Sequence, residues 1–73
     1  MPHVMVKMYP GRTEDQKIRL TEAITQAVVS IAVCSEDSVS VSLEEVEPED
    51  WNEKVYEPFI SGSESTLYKK SKP

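Results

Sequence analysis

The first strand predicted from the sequence covers residues 3–8 (HVMVKM), where two sets of side chains alternate. One set is wholly apolar and consists of Val4, Val6 and Met8. A period of two with one apolar face is typical of a β-strand. The strand should end at the sequence Tyr-Pro-Gly that follows, because Pro10 has no N–H for a sheet ladder and Gly11 allows unusual backbone angles.

A long helix is predicted over residues 14–33. Thr13 and Gln16 have the spacing of a capping box, and the two acidic residues after Thr13 complement the positive end of a helix dipole. Apolar residues recur at the i, i+3, i+4 and i+7 spacing of one buried stripe. We expect that stripe to contain Leu20, Ile24, Ala27, Val28 and Ile31. The residues expected to stay in water are Lys17, Glu22 and Gln26.

A second alternating segment, residues 39–46 (VSVSLEEV), predicts a second strand after a short polar connection at residues 35–38. Strand, helix of roughly twenty residues and strand together predict an α/β (α+β) fold made of one right-handed β-α-β unit with parallel strands. One helix covers only one face of such a sheet, whereas parallel strands are normally buried on both faces. We therefore expect a second subunit to cover the other face and complete a larger sheet.

The rest of the chain predicts a short second helix and a tail. Pro48 suits the first turn of a helix, so we expect a helix over residues 49–56, carrying Trp51, with Pro58 closing it. The whole chain, residues 1–73, is expected to be one domain. Its last part, about residues 61–73, is expected to be a tail that is flexible or contacts a partner. Two features fall in this tail: a flexible joint at 61–63, and a segment at 65–68 that forms a short strand or packs across a partner subunit.

Size and composition limit the possible functions. A chain of 73 residues buries a small core and is often supported by oligomerisation. Its one cysteine and one histidine cannot form an internal disulfide or a usual zinc site. A net charge of −5 argues against nucleic acid as a partner. The lone thiol and the lack of an apolar segment long enough for a signal peptide or membrane span favour the cytoplasm.

Pro2 directly follows Met1 and is the first candidate for chemistry. Aminopeptidases remove an initiator methionine when the next side chain is small, and removal here leaves a secondary amine. A free α-amino group titrates near ~7.7–8 in short peptides, and burial or a nearby cation lowers that pKa. A group that titrates close to the working pH is a good general base. The alternative is a proline that only stiffens the N-terminus, and a retained Met1 would abolish the basicity.

These features together resemble the tautomerase superfamily, in its small 4-oxalocrotonate tautomerase family, over roughly residues 1–60. The resemblance rests on Pro2, the six-residue strand, Pro-Gly-Arg at 10–12, Glu-Asp-Gln-Lys at 14–17 and Ser-Val-Ser-Val at 38–41. Two further segments, Met-Pro-His at 1–3 and Glu-Pro-Glu-Asp-Trp at 47–51, are more similar to the subgroup of dimeric phenylpyruvate-type tautomerases.

The resemblance implies a keto–enol tautomerase that uses no cofactor or metal and acts on a small 2-keto acid or its enol. Pro2 is then the general base. Arg12 matches the position whose guanidinium binds the substrate carboxylate, where a planar fork gives orientation as well as charge. Trp51 matches an aromatic residue of the pocket wall, which would help to depress the pKa of Pro2. Without the resemblance, Arg12 is a solvated loop residue and Trp51 fills a core or an interface.

Ser40 departs from the founding branch, which the resemblance gives a second arginine at this position. Serine supplies no positive charge, so the substrate is expected to be a phenylpyruvate-like monocarboxylate rather than a dicarboxylate such as 2-hydroxymuconate. Ser40 can donate a hydrogen bond to a carbonyl, or it is an ordinary solvated strand residue. His3 should point to the opposite sheet face from Pro2, which favours a structural or interface role.

Two other functions stay open. Hydrolytic dehalogenation or decarboxylation within the superfamily uses the proline as a charged acid and needs additional arginines, whereas this chain has only Arg12 and Arg19. A non-catalytic small oligomer that binds a partner is the other alternative. The leading prediction is an isomerase that forms a homo-oligomer, with a dimer as the expected state and without nucleic-acid or membrane partners.

Overall fold

The computed structural model describes residues 1–72 and confirms the predicted β-α-β arrangement. Strand β1 covers His3–Met8, helix α1 covers Glu14–Ala32 and strand β2 covers Ser40–Glu45. The two strands pair in parallel, from His3 opposite Ser40 to Met8 opposite Glu45. Short 3₁₀ turns at Glu36–Ser38 and Pro48–Asp50 precede and follow β2.

Helix α1 begins at the predicted capping box. The backbone N–H of Gln16 donates to Thr13 Oγ1 at 3.1 Å, and the backbone N–H of Thr13 donates to Gln16 Oε1 at 2.8 Å. Two N–H groups that the helix itself leaves without partners are satisfied in this way. Glu14 and Asp15 lie in the first turn, as the helix dipole favours.

The stripe of α1 that faces the sheet differs from the predicted one near the end of the helix. Leu20, Ile24 and Val28 are partly buried as expected, but Ala27 and Ile31 are exposed, Ile31 by 83%. A helix of 19 residues is roughly 28 Å long, whereas strands of six residues are roughly 20 Å long. The last turn of α1 therefore extends beyond the sheet and leaves its apolar residues uncovered within one protomer.

Lys17 was expected to stay in water, but its ammonium group lies between two carboxylates. Its Nζ is 3.3 Å from Glu45 on β2 and 3.4 Å from Glu14 on α1. The hydrogen bond to Glu45 raises the pKa of Lys17 above its usual value. The pair places Glu45 on the α1 side of the sheet, which is the side that also carries Val4, Val6 and Leu43.

The second helix is shifted toward the C-terminus relative to the predicted residues 49–56, and Pro58 does not end it. A π-type helix, here called the C-terminal helix, covers Asn52–Ile60 with Pro58 inside it. A proline ring crowds the preceding turn of an α-helix and removes one donor. The wider turn gives that ring more room, and the N–H of Ser61 donates to the carbonyl of Tyr56 five residues back, at 2.7 Å.

Of the two alternatives predicted for residues 65–68, the strand is wrong, and packing across a partner subunit stays a prediction. The N–H groups of Thr66 and Leu67 both donate to the carbonyl oxygen of Ser63, at 3.0 and 2.9 Å, so residues 65–68 form no strand. Gly62 has a left-handed backbone, with φ of 76°, in the preceding turn, where the N–H of Ser63 donates to the carbonyl oxygen of Ile60 at 3.2 Å. No helix among residues 1–72 is both long enough and apolar enough to cross a membrane.

The protomer buries very little apolar surface. In the described part of the chain, the only buried hydrophobic side chains are Val46 and Val55, with 3% and 5% exposure. Met5 lies on the sheet face opposite α1 and is 53% exposed. The C-terminal helix lies beside Met5 and Lys7 on that face. The expectation that a second subunit covers this face stays a prediction.

Candidate active site

The sheet face opposite α1 carries three cross-strand pairs that differ in chemistry. The register places His3 beside Ser40, Met5 beside Ser42, and Lys7 beside Glu44. The first pair is a hydrogen bond of 2.7 Å between His3 Nδ1 and Ser40 Oγ, and the last is an ion pair. The face therefore has a polar end next to Pro2 and a charged end near the C-terminal helix.

Arg12 and Trp51 meet at the charged end, in an open cavity of about 530 Å³. Arg12 Nη1 donates to the carbonyl oxygen of Tyr9 at 3.4 Å. The ring of Tyr9 in turn packs edge-on against Trp51, with 5.0 Å between ring centres. The turn after β1 thus places a guanidinium group beside an aromatic wall. The cavity is lined by Lys7, Met8, Tyr9, Arg12, Trp51, Ser71 and Lys72.

This cavity gathers positive charge in a chain whose net charge is −5. Within residues 1–72, neither Arg12 nor Lys72 is paired with a carboxylate. The other arginine, Arg19, is paired with Asp15 on the exposed side of α1 at 3.0 Å. An unpaired guanidinium in an open cavity is suited to binding a carboxylate in the bidentate manner.

A second cavity of about 280 Å³ lies next to the first and shares Lys7 and Trp51 with it. Its other walls are the apolar side chains of Met5, Val55, Phe59 and Ile60. The Nζ of Lys7 lies 5.4 Å from the centre of the Phe59 ring. Its ion pair with Glu44 lowers the pKa of that carboxyl group, chiefly through the hydrogen bond. Together the two cavities offer cations beside an apolar wall.

Pro2 lies at the opposite end of β1 from Arg12. Its carbonyl oxygen accepts a hydrogen bond from the N–H of Ser40 at 3.1 Å, and Met1 before it is fully exposed. Arg12 is anchored at Tyr9, beyond the far end of the strand, so roughly 20 Å of strand separates it from Pro2. Pro2 and Ser40 therefore lie together in one protomer, and Arg12 and Trp51 lie together, but the two groups are apart.

Lys7, Tyr9 and Lys72 are among the residues of these cavities that carried no functional prediction. Lys7 could have been found from the parallel register. It lies on the same sheet face as His3 and Met5, two residues after Met5, and its partner across the strands is Glu44. Lys72 could not, because its position depends on how the tail folds back toward β1. Alternation separates His3 from the apolar face of Val4 and Val6, but the hydrogen bond of His3 to Ser40 depends on the register of the two strands.

The comparisons with known proteins agree with this fold. The family described as tautomerase enzyme matches residues 2–53. Tautomerase PptA of Cronobacter sakazakii is 39% identical over 71 residues, covering 96% of this chain and 93% of the relative. The 2-hydroxymuconate tautomerase of Bacillus subtilis is 46% identical over 46 residues, covering 63% and 74%. TomN is a 4-oxalocrotonate tautomerase homologue of the tomaymycin biosynthetic pathway. Its crystal structure superposes on this chain with a TM-score of 0.66 at 32% identity, covering 68% of this chain and 77% of TomN.

Fold and relatives together define an isomerase with a small-molecule substrate. The chain belongs to the tautomerase family, in its 4-oxalocrotonate tautomerase branch. The predicted resemblance, the fold class and the enzyme class are confirmed.

Replacing Glu44 by Gln should strengthen the binding of an anionic substrate. The substitution removes the carboxylate that holds Lys7 and leaves its ammonium group free at the edge of both cavities. Solvent screens such an exposed ion pair, so KM for a carboxylate substrate should fall only about twofold to fivefold. Steady-state kinetics at constant ionic strength measure this change.

The matched control is Glu45→Gln on the same strand. It removes the ion pair with Lys17 on the α1 face, away from both cavities. An unchanged KM for Glu44→Gln, or an equal fall for both variants, would show that Lys7 does not contribute to substrate binding.

Proposed function

We propose that the protein is a cofactor-free keto–enol tautomerase of a phenylpyruvate-like 2-keto acid, with Pro2 as the general base. The observation that carries the proposal is the unpaired guanidinium of Arg12 beside the ring of Trp51. These two groups suit a carboxylate and an aryl group of one small substrate. Ser40 supports a monocarboxylate, because the polar end of the sheet face has no arginine or lysine of its own.

The active site is then shared by two subunits. Pro2 and Arg12 of one protomer are roughly 20 Å apart along β1, which is too far for one phenylpyruvate molecule to touch both. A two-fold axis that packs the uncovered sheet faces against each other brings the Pro2 end of one copy to the Arg12 end of the other. Such an interface is isologous and makes two equivalent sites. The exposed Met5 and the very small core of the protomer support this dimer.

The proposed reaction moves one proton and requires no other reactant. In ketonisation, the amine of Pro2 accepts the proton of the enol hydroxyl, and the O–H electrons stay on the oxygen of the resulting enolate. The enolate oxygen then forms the carbonyl while the C=C electron pair takes a proton from the Pro2 ammonium to form the new C–H bond. Arg12 of the partner holds the carboxylate, and Trp51 keeps water from the aryl group. Removal of Met1 is a condition, because only then is Pro2 a free amine.

A dicarboxylate is the second candidate substrate, and Lys72 is the observation that favours it. Lys72 lines the same cavity as Arg12 and adds a second positive charge from the tail. One similar relative is named for 2-hydroxymuconate, although the match covers only 63% of this chain. The relative named PptA matches almost the whole chain, including the region around Trp51 and the tail.

The test is the ketonisation rate of phenylenolpyruvate and of 2-hydroxymuconate, measured on protein whose mass shows that it begins at Pro2. The proposal expects a rate well above buffer and a higher kcat/KM for phenylenolpyruvate. A higher value for 2-hydroxymuconate that falls when Lys72 is replaced by Gln would support the dicarboxylate instead. Lys69→Gln is the matched control in the same tail. Rates equal to buffer for both compounds would refute both substrates.

A further inference from the structure

We propose that His3, oriented by Ser40, donates the hydrogen bond that stabilises the enolate oxygen of the substrate. This inference rests on the proposed tautomerase function. It assigns His3 to the enolate oxygen, for which Arg12 and Trp51 provide no hydrogen bond in the proposed reaction. A tautomerase must stabilise the oxygen on which charge develops, and preorganised donors do this efficiently. Near Pro2, the sheet face that α1 does not cover offers His3 and Ser40 as side-chain donors.

Ser40 fixes the positions of both neighbouring residues. Its backbone N–H donates to the carbonyl oxygen of Pro2 at 3.1 Å, which ties the start of β1 to β2. Its hydroxyl group lies 2.7 Å from Nδ1 of His3. One serine thus contacts both the backbone carbonyl of Pro2 and the imidazole ring of His3. A distance of 2.7 Å is typical of a well-formed hydrogen bond to a hydroxyl oxygen.

The hydrogen bond to Ser40 is compatible with the tautomer that the inference needs. When the hydroxyl donates to Nδ1, the single imidazole proton is on Nε2. His3 is exposed, and within residues 1–72 its only hydrogen-bond partner is Ser40. Its Nε2–H is therefore available to an oxygen atom on the uncovered face, which is where the proposed dimer encloses the substrate.

Pro2 transfers a proton in the proposed reaction, whereas His3 does not. The enol proton still passes to the amine of Pro2 and returns from there to carbon. His3 keeps its own proton throughout and only donates a hydrogen bond, which strengthens as negative charge grows on the oxygen. Ser40 acts through His3 and is a positioning residue. A neutral donor in this place is compatible with a substrate that has a single carboxylate.

Two substitutions of His3 separate donation to the substrate from contact with Ser40. In His3→Gln the amide nitrogen takes the place of Nε2, so the donor to the substrate is retained. In His3→Asn the polar atoms take the place of Nδ1, so the contact with Ser40 is retained and the outer donor is lost. Both variants are polar and similar in size, and both leave Pro2, Arg12 and Trp51 in place.

The experiment measures kcat and KM for phenylenolpyruvate ketonisation with these variants, using protein that begins at Pro2 and has the oligomeric mass of the wild type. Loss of one preorganised donor costs up to 10²–10³ in kcat, and for an exposed neutral donor we expect a fall of about tenfold to a hundredfold in His3→Asn. KM should change little, and His3→Gln should keep most of kcat. Ser40→Ala should lower kcat less than His3→Asn, and Ser40→Thr should restore it.

Equal losses in His3→Asn and His3→Gln, or full kcat in His3→Asn, would overturn the inference. A loss in Ser40→Ala with full kcat in His3→Asn would assign the donor role to Ser40 itself and overturn it as well. Pro2→Ala in the same assay keeps the two hypotheses apart. Activity that depends on Pro2 but not on His3 refutes only this inference, whereas activity that is independent of Pro2 refutes the proposed function and this inference with it.

Discussion

Pro2→Ala is expected to lower kcat for phenylenolpyruvate ketonisation by about a hundredfold or more. General acid–base catalysis by a positioned group contributes about 10²–10⁴ to a rate, and this substitution replaces a rigid secondary amine by a mobile primary amine. The effect should be mainly on kcat, because Arg12 and Trp51, the proposed substrate-binding residues, line a cavity at the other end of the strand and are unchanged. Stopped-flow or spectrophotometric ketonisation measures it directly.

A blocked N-terminus provides a control that leaves every side chain intact. A cleavable tag placed before Pro2 converts its nitrogen to an amide, which is not basic, and cleavage that leaves Pro2 first restores the amine. The same polypeptide should be nearly inactive before cleavage and active after it. Met1 is fully exposed in the structure, so a short extension at this end has room in the protomer. Equal rates before and after cleavage would contradict a role for the Pro2 amine.

The fold of the protomer was predictable because its signals are local. The alternation in β1, the capping box at Thr13 and the alternation in β2 each lie within a few residues, and the structure reproduces all three. The predictions of burial and exposure fail where a side chain's surroundings depend on residues distant in the sequence. The exposure of Ile31 depends on the length of α1 relative to the strands, and the ion pair of Lys17 depends on where Glu45 lies across the sheet.

The candidate site was predictable only as a set of residues. Pro2 is a candidate from its place after Met1, whereas Arg12, Trp51 and Ser40 are candidates only through the resemblance to the tautomerase superfamily. Their grouping into two distant ends depends on the direction of β1 and on the register with β2. The same register brings His3 to Ser40, which no local pattern indicates. The prediction ended the second helix before Pro58, because the sequence rules for proline describe α-helices. The observed helix has wider turns and continues through Pro58.

Arg12→Gln is expected to lower kcat/KM for phenylenolpyruvate by about tenfold to a hundredfold, mostly through KM, because hydrogen bonds to a charged group contribute about 1.5–3 kcal/mol. Arg12→Lys should recover only part of the loss, since an ammonium group cannot form the bidentate contact. Arg19→Gln is the matched control, because it removes the other arginine of the chain from an exposed ion pair on α1. Similar losses for Arg12→Gln and Arg19→Gln would contradict a carboxylate-binding role for Arg12.

Mixing the two inactive variants tests whether the site is shared between subunits. If Pro2 of one subunit acts with Arg12 of its partner, a heterodimer of Pro2→Ala and Arg12→Gln has one site with both changes and one site with neither. Random exchange of subunits after unfolding and refolding should then restore about a quarter of the wild-type activity in a two-fold dimer. If both residues act within one protomer, every site carries one change and mixing restores nothing. The roughly 20 Å of strand between Pro2 and Arg12 predicts the first result.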